Sequence, residues 1–148
     1  MAKSSVYEND WLKLIFNATP IANIADNAAS APLTNLYVSL HTADPSTTAG
    51  SGTVDTQNAS EAAYTGYSRA VVARTSGGWT VTGSSVSPAA TIGFPGGTGG
   101  GGTATYFGVG TAPTGTGKLL YSGTVTPNIV MGNGITPQLK TDSTITES

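Results

Sequence analysis

His41 is the only histidine in the chain, and Asp44, Asp55 and Glu61 follow it within the next twenty residues. An imidazole beside carboxylates could act as an oriented general base. It could also anchor a metal ion, although without any cysteine the other ligands would have to be carboxylates. Two acids at a fixed separation could instead hydrolyse a glycosidic bond. The surrounding residues favour none of these. No Gly-x-Ser-x-Gly elbow supplies a nucleophile, and the acids fall in a Ser-, Thr- and Gly-rich stretch that gives them no rigid spacing. They read as solvated loop acids, and His41 as a structural or surface residue. No catalytic residue, cofactor site or metal site is assigned, so a non-enzymatic role is expected.

Two glycine-rich segments invite a nucleotide reading and fail it. In Gly110-Thr-Ala-Pro-Thr-Gly-Thr-Gly-Lys118 the glycine needed five places before Gly117 is Ala112, and Leu119 stands where a hydroxyl would hold Mg²⁺. A strand rather than a helix is expected after it, so no helix N-terminus would meet a phosphate. The segment reads as a β-turn. Pro95-Gly-Gly-Thr-Gly-Gly-Gly-Gly102 reads as a flexible loop tip, able to order as a contact arm. Tyr64, Tyr67 and Trp79 could stack on a sugar, but Tyr67 and Trp79 flank an expected hairpin and read as a cross-strand aromatic cluster.

The elements that would position these residues are mostly strands. Leu36, Val38 and Leu40 alternate with Tyr37, Ser39 and His41, the period of a half-buried strand, and Asp44-Pro45 stops it. Residues 44–63 contain almost no large apolar side chain and read as a long surface loop. Strands are expected near 67–75, 78–83, 84–87, 91–94, 103–110, 118–125, 128–131 and 135–140. Thr75-Ser-Gly-Gly78 reads as a hairpin turn between the first two, with glycine at positive φ. One helix is expected over residues 5–17. Ser5 and Glu8 would form its capping box, and Tyr7, Trp11, Leu14 and Ile15 its apolar face, widened by Leu12 and Phe16. Such a helix must bury against its own β-domain or a neighbouring subunit. The expected organisation is one domain over 1–148, with the helix at 5–17, a β core at 35–140 and a flexible tail at 141–148. Short strands at regular spacing imply an all-β, antiparallel two-sheet sandwich, jelly-roll or immunoglobulin-like, with one N-terminal α-helix.

Composition narrows the function. Charged residues are 9% of the chain, against about 25% in an ordinary soluble domain, and the net charge is −2. Six basic residues form no stripe for a nucleic-acid backbone. No apolar run reaches membrane-spanning length, and the N-terminus lacks the apolar core of a signal peptide. Nucleic acid and membrane are therefore not expected partners. No heptad or Gly-X-Y repeat marks a fibrous shaft.

Several blocks in order carry a resemblance: residues 35–45, 64–74, Gly78-Trp-Thr-Val-Thr-Gly83, Phe107-Gly-Val-Gly-Thr111 and residues 118–129. Together they resemble a family of small structural proteins of tailed bacteriophages, over roughly residues 5–140. Members are labelled tail-fibre-like or virion proteins, and in size and make-up are similar to podovirus capsid cement proteins. The resemblance implies a virion protein made in the bacterial host's cytoplasm, and carries over no catalytic residues. Without a shaft, capsid decoration is expected, with the major capsid protein and further copies of itself as partners. The alternative is a tail-associated or fibre protein, with a host glycan as partner. Expected contact residues are Tyr7 and Trp11 on the helix, Asp44, Asp55 and Glu61 in the loop, and Thr141 and Ile145 in the tail.

Overall fold

The computed structural model describes residues 4–21, 32–46 and 56–147. The elements are α1 (Ser5–Asn17), β1 (Asn35–His41), β2 (Ala70–Ala73), β3 (Trp79–Thr82), β4 (Ser85–Pro88), β5 (Ile92–Gly93), β6 (Gly101–Gly110), β7 (Leu119–Gly132), β8 (Gln138–Leu139) and β9 (Ile145–Thr146). Among the described residues the fold is all-β with one N-terminal helix, its sheets antiparallel and sandwich-like. By its contacts the chain divides into two compact units. One is Met1–Asn35, Val72–Thr91 and Lys140–Ser148; the other is Leu36–Val71 and Ile92–Leu139.

The first unit is built on α1 and a three-stranded sheet of order β3-β4-β9. Ser4, not Ser5, caps the helix, its hydroxyl accepting from the Tyr7 N–H at 3.3 Å. That places Glu8 one position too far on for the expected capping box. Ala18 ends the helix in the left-handed region at φ 53°, and the Thr19 N–H returns to the Lys13 carbonyl at 3.1 Å. The Arg74 guanidinium takes two more terminal carbonyls, Leu14 and Ile15, each at 2.6 Å, and Leu33 O at 2.8 Å. The buried seam of α1 is Leu12 and Phe16, one turn apart. Phe16 meets Trp79 edge-on at 4.8 Å. Tyr7 and Trp11, expected in that face, lie on the exposed flank instead. Across the sheet Val81 pairs Val86 and Val86 pairs Ile145, so the tail expected to be free contributes a strand.

Trp79 and Tyr67 do not cluster as expected. Tyr67 packs in the other unit, edge-on to Tyr64 at 5.4 Å and stacked with Phe94 at 6.4 Å. The reason is pairing. β2 and β3 belong to different sheets, so Thr75–Gly78 turns the chain without making a hairpin. Gly78 is required there for close approach rather than positive φ, because a Cβ would overlap the Ala73 carbonyl. The hairpin of this unit is β3–β4, closed by Gly83-Ser84 with Gly83 at φ 59°.

The second unit holds a four-stranded sheet of order β2-β1-β6-β7 and a β5–β8 ribbon. β1 lies against β6 with Val38 opposite Val109 and Leu40 opposite Phe107. β6 and β7 form a long hairpin with two register shifts. β1 is buried on both faces, since Ser39 and His41 are as inaccessible as Leu36, Val38 and Leu40. The segment 95–102, expected to be a flexible tip, is held on both sides. Gly97 N–H donates to Ile135 O at 2.9 Å, Thr65 N–H to Gly99 O at 2.9 Å, and Tyr64 Oη–H to Pro95 O at 2.6 Å. A Cβ on Gly97 would overlap the Gly132 carbonyl, so the glycines here serve close packing.

Candidate functional site

The second unit encloses a polar cluster made by β1, the chain from 56 to 69 and the loop 111–118 that joins β6 to β7. Arg69 is its centre and is almost completely buried. Its Nε and Nη2 hold the two Glu61 oxygens at 2.7 and 2.8 Å in a fork-to-fork pair. The remaining guanidinium donors reach Gln57 Oε1 at 3.3 Å, Ala112 O at 2.8 Å and Gly115 O at 2.6 Å. A buried guanidinium demands this many acceptors, because each donor left unpaired away from water costs stability.

Gln57 is fully buried and uses both ends of its amide. Nε2 donates to Tyr37 O at 2.9 Å, and Oε1 accepts from the Ala112 N–H at 3.1 Å. Its own N–H donates to Thr116 O at 2.8 Å. Gly110 and Gly117 leave room for this side chain, since a Cβ on Gly110 would overlap it and one on Gly117 would sit 2.7 Å from Oε1. Tyr67 Oη–H donates to Glu61 Oε1 at 3.0 Å and accepts from the Leu40 N–H at 3.1 Å. Burial pushes the Tyr67 phenol well above its ordinary pKa.

His41 completes the cluster. Nδ1 faces Ala59 O at 2.8 Å, and a carbonyl only accepts, so Nδ1 carries the hydrogen. Desolvation by burial holds the imidazole pKa below its usual value, with Arg69 acting the same way; the Ala59 bond, Glu61 and Asp44 oppose it. The neutral ring then accepts at Nε2 from the Ser39 hydroxyl at 2.8 Å. A Cβ on Gly108 would come within 2.7 Å of Nε2 and 2.9 Å of Ser39 Oγ. Ser39–His41 thus has the spacing of a hydroxyl–base dyad, but both residues are fully enclosed and the third group is a backbone carbonyl. The arrangement serves to hold residues 56–61 against β1, where Glu61 and His41 also form a β-bridge.

The residues singled out from the sequence end up dispersed. His41 is fully buried and not at the surface, because β1 has no solvent face. Glu61 is not a solvated loop acid: both its oxygens are taken by Arg69. Asp44 caps a local turn, accepting from the Ser46 N–H at 2.9 Å and hydroxyl at 2.8 Å, bonds that hold its carboxyl below the usual range. Asp55 lies outside the described residues. Tyr7 and Trp11 are exposed on α1 with ring centres 6.5 Å apart, Thr141 is exposed in a turn, and Ile145 is half-buried in β9. Part of the loop expected over 44–63 is packed structure, since Thr56 bridges Lys118 and Gln57 is enclosed. Sequence reading missed Gln57, Ser39 and Arg69. The available signal was Arg69 opening the apolar run Ala70-Val-Val-Ala73 a few residues after a lone Glu61, which suggests an ion pair at a strand mouth.

Among the described residues no group of three His, Asp or Glu side chains is placed to hold a metal ion. The family model described as "Podophage GP4 fiber I protein gp80" matches residues 2–146. The chain belongs to this family. It is accordingly a phage structural protein. No curated protein matches it.

Proposed function

We propose that this family member is a tail-side fibre component of a podophage virion that works by adhesion to neighbouring virion proteins and not by catalysis. The observation that carries this reading is the family match across almost the whole chain, whose description names a fibre protein. The polar cluster supports the adhesive part: its histidine, serine, glutamine and arginine are spent on one another and on backbone groups, away from any substrate. Low charge suits contacts made by shape and hydrogen bonding. The partners are other proteins of the tail and further copies of the chain. A host glycan would enter only if the fibre end carrying this chain touches the cell, and nucleic acid and membrane are not partners.

Capsid decoration is the second reading, favoured by the absence of any heptad or Gly-X-Y shaft repeat in the sequence. Its partner would be the major capsid protein. Phage particles made without this chain separate the two. The fibre reading expects adsorption to host cells to collapse while the heads keep their DNA on heating. Normal adsorption with heads that leak DNA would overturn it in favour of decoration.

A further inference from the structure

Loop 111–118 is braced far more heavily than a β-hairpin connection needs. Two residues suffice to join antiparallel strands, yet here the chain spans eight and fastens them from beneath. Arg69 takes Ala112 O and Gly115 O, and Gln57 takes the Ala112 N–H and Thr116 O. Thr111 and Lys118 close the neck, the Thr111 N–H bonding Lys118 O at 3.1 Å and the Lys118 N–H bonding Thr111 Oγ1 at 3.1 Å. Above this brace Pro113, Thr114, Gly115 and Thr116 are all exposed. A buried ion pair is a poor way to gain stability, but it fixes geometry well. A loop fixed before binding loses little conformational freedom when it docks.

We propose that loop 111–118 is a preformed docking element for an uncharged protein surface of the virion, a proposal that rests on the virion reading above. The exposed tip has no aromatic ring to stack on a saccharide and no carboxylate or amide side chain to grip one. Its one charge is Lys118 at the neck, too few cations to hold a polyanion. Short hydroxyl side chains on a rigid backbone fit a neutral, closely matched protein groove.

The test pairs Thr114→Arg/Thr116→Arg, which adds charge to exposed positions only, with Ser76→Arg as an exposed control elsewhere. Both variants are expected to unfold within about 3 °C of the wild type. The double variant is expected in particles at a tenth of the wild-type level or less, because arginines buried in a neutral groove lack partners, and the control at the wild-type level. Separately, Arg69→Lys keeps the charge but loses the fork, and amide exchange in residues 112–117 is expected to quicken about tenfold or more. Full incorporation of the double variant would overturn the proposal. So would full incorporation with weakened adsorption, which would make the loop a host-saccharide contact. Absence of the wild-type chain from particles would overturn the virion reading itself.

Discussion

At the scale of single residues, Arg69 holds three segments together through one guanidinium. Removing it strands the half-buried Glu61 carboxylate and two loop carbonyls. Arg69→Ala is therefore expected to destabilise the fold by about 3–5 kcal/mol in urea unfolding, the range for breaking a buried pair from one side. His41 sets a pH dependence. Burial holds its folded pKa below the ordinary histidine value of 6.5, so the unfolded chain binds a proton that the folded chain refuses. The stability from this group is present in full above about pH 6.5 and falls as pH drops through the folded value. Unfolding free energies at about pH 7.5 and about pH 5 should show this loss in the wild type and a shallower loss in His41→Gln. Equal losses in both would show that His41 does not set the slope.

At the scale of elements, α1 shows which face matters. Phe16→Ala should cost about 3–5 kcal/mol, since the ring is fully enclosed against Trp79, while Val6→Ala, 69% exposed, should change stability by less than about 0.5 kcal/mol. Thermal and urea denaturation of the two variants checks both figures. The location of most strands was legible, because Leu36, Val38 and Leu40 and the glycine-punctuated runs after residue 78 carry local signals. Pairing was not legible. The turn at 75–78 leads from one sheet to another, which nothing in four residues can reveal. The strands expected at 118–125 and 128–131 are one strand, β7, and Pro127 is tolerated within it because β7 is last in the sheet order. The helix face was misjudged for a related reason. Both the Tyr7/Trp11 and Leu12/Phe16 pairs have helical spacing, and packing on β3 and β4 decides between them.

At the scale of the whole molecule, low charge leads to a prediction about assembly. A chain with 9% charged residues and net charge −2 should bind its neighbours by contacts that salt barely screens. Its retention on purified particles at about 0.05 M and about 1 M NaCl should agree within about twofold; stripping at high salt would point to ionic contacts instead. The polar cluster itself was scarcely readable from sequence. Gln57 lies in a segment without periodicity, and its partners sit about twenty residues before and about fifty-five after it. His41 and Glu61 were visible as chemistry-bearing residues, but their burial depends on strands that pair over long separations. Cryo-electron microscopy of the intact virion tests the central claim most directly. The fibre reading predicts this fold in a small number of copies at the tail, with loop 111–118 against another protein. The same fold repeated over the capsid lattice would contradict it.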